Sequence, residues 1–209
     1  MGGTEARPGE ERFADLAAAG PELWKRLVRA SRDRRSPWHT PVVATVGTDG
    51  APRARVMVLR AVDPSARLLR LHTDARATKV EELARDPRVA LLLYDAPGRL
   101  QLRIEGEGRV ETTGAAADAA WQATRPFSRR CYTAPIAPGA PAAGPVSGLP
   151  PELEGREPTM DESESGRPHF AILQVEVRLL EFLHLAVTGH RRGRFTWTDD
   201  RFEGGWLIP

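Results

Sequence analysis

Arginines flank a short apolar run in "PRARVMVLR", Pro52 to Arg60. The run "VMVL" favours a strand, while Arg53, Arg55 and Arg60 bring permanent charges to its two ends. Such charges are either solvated at the ends of an edge strand or neutralised by an anion through charge-assisted, often bidentate, hydrogen bonds. Side chains alternate across a strand, so Arg55 and Arg60, five positions apart, fall on opposite faces unless the strand bends. Each then serves a different partner. Other constellations are poor. His184, His190, His39 and His169 lack metal-ligand spacing, and Cys131 has no second cysteine. The chain contains no GxGxxG fingerprint and no Walker loop.

Composition narrows the classes further. The 209 residues suit one generous domain. Lys and Arg number 30 against 28 Asp and Glu, a formal net charge of +2. That balance is too even for a nucleic-acid footprint. No apolar run reaches the length that spans a bilayer, and "MGGTEARPGEERF" does not read as a signal peptide. A cytoplasmic protein with no nucleic-acid or membrane partner is the expectation.

The elements that must carry these arginines can be read in outline. Residues 1–10 read as a disordered lead-in and 11–209 as one domain. Helical pieces occupy 11–35, with Leu23, Leu27 and Ala30 at helical spacing and Pro21 early in the second piece. "PVVATV" and "PRARVMVLR" flank "GTDGAP", whose Asp49-Gly50 predicts a hairpin turn. "RLLRLHT" is a third strand, and "DARATKVEELARDP" a helix with Asp74 as N-cap, ended by Asp86-Pro87. "RVALLLYD" is apolar on both faces, which places it mid-sheet. "RLQLRIEGEGRVE" alternates, with Gln101, Arg103 and Glu105 on its polar face. "GAAADAAWQATR" predicts a short helix. The Pro- and Gly-rich stretch 134–166 is expected as a mobile loop or an arm laid across a neighbour. "HFAILQVEVRLLEFLHL" and two short terminal strands complete about six or seven strands. This is a mainly β, α+β pattern that fits a closed antiparallel barrel with flanking helices better than a doubly wound sheet.

In order along the chain, "ATVGTDGAPRARVMVLR", "LHTDARATK", "DPRVALLLY", "RLQLRIEGEGRVE", "LEFLHL…GHRRGRF" and "WLIP" resemble the landmarks of the pyridoxamine 5'-phosphate oxidase-like, FMN-binding split β-barrel family. The resemblance implies an FMN site along Arg55, Val56, Met57, Val58, Leu59 and Arg60, with Arg55 on the phosphate and Arg60 towards the substrate. It adds Thr73 and Lys79 near the phosphate, His72 beside the flavin, Gln101 on its polar edge and Arg194 as a further contact. Arg60, Arg125 and Arg191 are the implied substrate-binding residues. No catalytic side chain and no metal is implied.

Several positions depart from the family pattern. Thr78 stands where an arginine is common, and Leu183 where some members carry tryptophan. Trp121 and Arg129 replace the tyrosine and serine that accompany Arg125, and the late Arg-x-His reads "RRG". These changes argue against pyridoxamine phosphate as substrate while leaving an anionic ligand for Arg60, Arg125, Arg129 and Arg191. The implied activity is hydride transfer between FMN and a small molecule. The alternatives are a non-catalytic flavin-binding protein and a deazaflavin-dependent reductase on the same barrel. A homodimer with the flavin at its interface is also implied, and the surplus apolar surface of "RVALLLYD" and "LQLRI" agrees with it.

Overall fold

A computed structural model of the chain describes residues 11–198 and 201–209, so the lead-in expected over 1–10 lies outside the described residues. A 3-10 turn at Glu11–Phe13 precedes helix α1, Leu16–Arg32. Asp15 caps it by accepting the Ala17 N–H at 3.0 Å. The two helical pieces expected on either side of Pro21 are one helix that runs through this proline. Leu23, Leu27 and Ala30 are fully buried along one face, each leucine contributing roughly 1.5–3 kcal/mol of apolar burial.

Nine strands occur among the described residues: β1 Val42–Val46, β2 Pro52–Val56, β3 Leu59–Asp63, β4 Leu68–Asp74, β5 Arg88–Asp95, β6 Leu100–Glu111, β7 Phe170–His184, β8 Arg191–Thr198 and β9 Arg201–Leu207. Their order is β2-β1-β5-β6-β7-β4-β3, with β8 pairing β7 and β9, and every pairing is antiparallel. Helix α2, Thr78–Arg85, links β4 to β5, while α3, Ala115–Gln122, α4, Pro126–Arg129, and α5, Met160–Glu164, lie between β6 and β7. The fold is therefore mainly β with flanking helices, a split barrel whose strand ladder does not close.

The count exceeds the expected six or seven in part because "PRARVMVLR" is two strands rather than one. β2 pairs with β1 and β3 with β4, and the run changes partner at Met57-Val58. The crossing is held by the Met57 N–H on the Pro41 carbonyl at 3.0 Å and the Leu59 N–H on the His39 carbonyl at 2.9 Å. Another expectation needs correction at α2. Asp74 does not cap the helix, whose N-cap is Ala77; its carboxylate instead takes the Arg76 N–H and guanidinium at 2.8–3.0 Å.

Leu69 and Leu71 of β4, Leu102 and Ile104 of β6, and Leu173, Val175 and Val177 of β7 fill the interior, with α1 packed over them. β5 sits mid-sheet as expected, but only one of its faces is covered: Leu92 is 42 % and Tyr94 47 % exposed. Strand β7 carries β4 on its first half and β8 on its second, along the same edge. The change of direction coincides with a bulge, because Glu105 pairs Leu179 and Gly106 pairs Val177, leaving Arg178 unopposed. Gly106 permits this approach, since a Cβ there would lie 2.0 Å from the Glu176 carbonyl oxygen. Gly106→Ala is expected to cost about 3 kcal/mol in urea unfolding, the upper range for forced overpacking. A variant as stable as the parent chain would remove the packing reason for this glycine.

Candidate functional site

Arg55 points inward beside Val43, its cross-strand partner, towards the barrel end that α2 covers. Its NH2 donates to Glu82 Oε2 at 2.8 Å, and its NH1 to Thr45 Oγ1. The Thr45 hydroxyl itself donates to Glu82 Oε2 at 2.6 Å. Lys79, one helical turn before Glu82, donates from Nζ to Thr73 Oγ1 at 3.2 Å. Burial pulls the Lys79 pKa below its ordinary value, and the like charge of Arg55 adds to this against the opposing charges of Glu82 and Asp74. Arg55 of β2, Thr73 of β4 and Lys79 of α2 thus converge at the junction of these three elements. The Arg55 Nε–H makes no hydrogen bond among the described residues. That leaves an open guanidinium edge beside a half-buried ammonium, a donor set suited to a phosphate. Glu82 is the member that sequence reading missed. Its signal was the Lys79-x-x-Glu82 spacing, which places both on one helix face.

Beyond the crossing, Met57 and Leu59 face inward, Val56 is exposed and Val58 half-buried. Arg60 is the residue left over where Leu59 pairs Leu71 and Ala61 pairs Arg70. Such a bulge re-aims the side chain it displaces. Arg60 lines a polar hollow of about 300 Å³ together with Arg125 and His72. Arg32, Arg34 and Arg70, which sequence reading did not single out, line it too. The signal for Arg70 was its alternation with His72 in "RLLRLHT". His72 packs edge-on against Phe170 at 4.8 Å. Its Nδ1 and the Arg60 Nε are buried atoms without hydrogen-bond partners among the described residues. Arg55 and Arg60 therefore serve separate places.

A second carboxylate organises the C-terminal arginines. Glu181 of β7 is buried, and it accepts from Arg194 at 2.7 and 3.0 Å, from Arg192 at 2.7 and 3.1 Å and from Arg103 at 3.1 Å. Burial raises its pKa, but the hydrogen bonds from Arg194 and Arg192 prevail and hold it below the ordinary carboxylate range. Arg194 is fixed by this clamp. Gln101 stands on β6 opposite Tyr94 and Leu183. Arg191 pairs with His184 across β7 and β8 and does not line the Arg60–Arg125 hollow within one chain. Gly193 is buried, and a Cβ there would meet the Phe182 ring at 2.5 Å and Leu16 at 2.9 Å. A histidine cannot stand at that position without moving the core.

Arg129, aligned by resemblance with a substrate contact, has a structural role instead. It is fully buried and donates to the Trp121 carbonyl at 2.8 Å, to Glu164 at 2.5 Å and to Ser163 Oγ at 3.4 Å. The Trp121 indole N–H also reaches Glu164, at 2.9 Å. These bonds dock α5, near the end of the stretch 134–166, against its own chain. Its residues Ala134, Ser147 and Leu149, with Phe127 and Tyr132, line a further hollow of about 420 Å³ that shares Arg60 and Ser128 with the first.

Burial, with the charges of Arg60 and Arg70, pushes the His72 imidazole down to about 3 from 6.5. Between those values the unfolded chain binds a proton that the folded chain refuses. The neutral ring's contribution to stability is full above the unfolded pKa and is lost as pH falls through that window. Thermal unfolding midpoints should therefore drop more steeply below pH 6.5 in the parent chain than in His72→Gln. Parallel pH curves for the two proteins would refute this account of the ring.

A family model described as pyridoxamine 5'-phosphate oxidase matches residues 30–148. The pyridoxine/pyridoxamine 5'-phosphate oxidase of Burkholderia vietnamiensis is 31% identical over 175 residues, covering 81% of this chain and 77% of that protein. Its counterpart from Myxococcus xanthus is 33% identical over 171 residues, covering 79% and 77%. Among solved structures, a pyridoxamine 5'-phosphate oxidase-related, FMN binding protein from Nostoc punctiforme shares the fold with a TM-score of 0.71 at 20% identity, over 90% of this chain and 96% of that one. PhzG from Burkholderia lata, solved with tetrahydrophenazine-1-carboxylic acid, gives 0.69 at 17% identity over 99% and 98%. With more than half its length matched by the family model and the same split barrel in its fold, this chain belongs to the pyridoxamine 5'-phosphate oxidase family.

Proposed function

We propose that the chain is an FMN-dependent oxidoreductase acting on a small anionic substrate, built as a single flavin-binding domain over residues 11–209 and working in the cytoplasm. The observation that carries this reading is the convergence of Arg55, Thr73 and Lys79 beside an arginine-lined hollow that contains Arg60 and Arg125. Relatives named as pyridoxine/pyridoxamine 5'-phosphate oxidases, and a structural neighbour described as FMN binding, support it.

The residues fit the cofactor's chemistry. Arg55 keeps an unpaired guanidinium edge, and Lys79, bonded once to Thr73, keeps two protons for a phosphate. Glu82 and Thr45 hold the opposite edge of Arg55, so the guanidinium is oriented before a ligand arrives. When bound, FMN supplies two-electron hydride chemistry, and the protein supplies position and electrostatics. Backbone from Val56 to Leu59 and the half-buried His72 would flank the ring. Arg60, on the other face, would draw the substrate's anionic group alongside. No side chain is required as a nucleophile.

The working unit is proposed to be a homodimer. The outer face of the β2-β1-β5 sheet leaves Val56 64 %, Leu92 42 % and Tyr94 47 % exposed. Apolar strand surface of this kind is commonly covered by a symmetric interface. A partner packed there would allow Gln101, Arg191 and Arg194 of one chain to complete the site of the other.

Arg55→Ala should weaken FMN binding by about 2 kcal/mol, roughly thirtyfold, without unfolding the barrel. Fluorescence titration with FMN measures this, and an unchanged affinity would remove Arg55 from the site. Arg60→Ala should keep FMN and lose turnover; parallel loss of flavin would contradict that division. Sedimentation at micromolar concentration should give a dimer, and a monomer carrying stoichiometric FMN would overturn the shared site.

A further inference from the structure

Five arginines from different parts of the chain line the 300 Å³ hollow. Arg32 ends α1, Arg34 follows it, Arg60 and Arg70 lie on adjacent strands, and Arg125 is the N-cap of α4. Their surroundings differ sharply from those of the other arginines near the proposed site. Arg55 answers to Glu82, and Arg192 and Arg194 answer to Glu181. Among the described residues, none of the five makes a side-chain hydrogen bond or an ion pair, and no carboxylate lines the hollow. Arg60 and Arg70 are also half-buried, so water screens them less than it screens a surface arginine. The sole aromatic nitrogen buried without a partner here, His72 Nδ1, adds no negative charge.

We propose that this hollow takes a ligand bearing at least two anionic groups, with Arg32, Arg34 and Arg70 providing charge beyond that of Arg60 and Arg125. This deepens the functional reading above and rests on it for the placing of the substrate at Arg60. A monocarboxylate offsets one of five fixed positive charges, and a phosphate monoester offsets at most two. A diphosphate, or a compact di- or tricarboxylate, offsets more of them and can engage guanidinium groups from several elements through bidentate bonds. The volume is at the small end for ligand cavities, which favours a charge-dense group over an extended apolar body. The apolar remainder of a larger substrate has the adjoining hollow beside Phe127 and Leu149.

The test is calorimetric titration of the FMN-saturated protein with inorganic pyrophosphate, orthophosphate and acetate at one fixed ionic strength. Saturating FMN keeps the probes away from the Arg55–Lys79 cradle. Pyrophosphate should bind at least about tenfold more tightly than orthophosphate, and acetate more weakly than both. Arg34→Ser, Arg70→Gln and their combination should abolish the preference for pyrophosphate while FMN titration stays unchanged. Equal affinities for pyrophosphate and orthophosphate would overturn the proposal, as would a preference that survives the double variant. Failure of the chain to bind FMN is a separate outcome. It would refute the flavin reading, and the same anion titrations on flavin-free Arg55→Ala protein would still decide whether the arginine hollow selects multiply charged anions.

Discussion

The crossing at Met57-Val58 is the constraint on which the rest of the site depends. A strand that paired with β1 along its full length would leave Arg60 on the same sheet margin as Arg55, remote from β4. Because the run changes partners there, held by the Pro41 and His39 carbonyls, its first half serves one side of the barrel seam and its second half the other. Alternation then sends Arg55 inward to α2 and Arg60 outward, and the bulge at Arg60 aims it at the hollow beside Arg70 and His72. Two charged side chains five residues apart thus reach two chemically distinct places on one short piece of backbone.

Charge is managed differently in those places. A buried carboxylate leaves a guanidinium oriented but partly satisfied, and breaking such a pair exposes an uncompensated charge. Glu82 does this for Arg55, and Glu181 does it for Arg192 and Arg194. Both acids hold their arginines rigidly, which suits groups that must present fixed donors. The arginines around Arg60 have no such counter-ion, so their field is directed into the hollow and is available to a ligand.

The stretch 115–169 sets the outer wall of that hollow. Arg129 is the pin: its three hydrogen bonds and its stacking over the Trp121 ring at 4.4 Å tie α4 to α3 and α5. The Pro- and Gly-rich composition of 134–150 offers little apolar surface of its own. Its path is decided by what it is anchored to at each end. A small cluster of Trp121, Tyr132, Phe170 and Ile172 lies beneath, so the wall rests on packed aromatics while the hollow above remains polar.

Local chemistry determined much of this protein. An apolar run predicted β5, alternation predicted β6, Asp49-Gly50 predicted the β1-β2 hairpin that Gly50 makes with φ +81°, and Asp86-Pro87 ended α2. Ordered landmarks pointed to the family, and alternation set Arg55 and Arg60 on opposite faces of an unbent strand. Tertiary structure decided what sequence spacing cannot express, because contacts between distant segments depend on which edges pair. It split one apparent strand into two, drew Glu82 under Arg55 and buried Arg129, which its alignment had marked for a ligand. It also assembled Arg32, Arg34, Arg60, Arg70 and Arg125 from separate elements into one hollow. An arginine reads the same in a sequence whether solvated, clamped or awaiting an anion, and only the placement of the surrounding carboxylates tells these states apart.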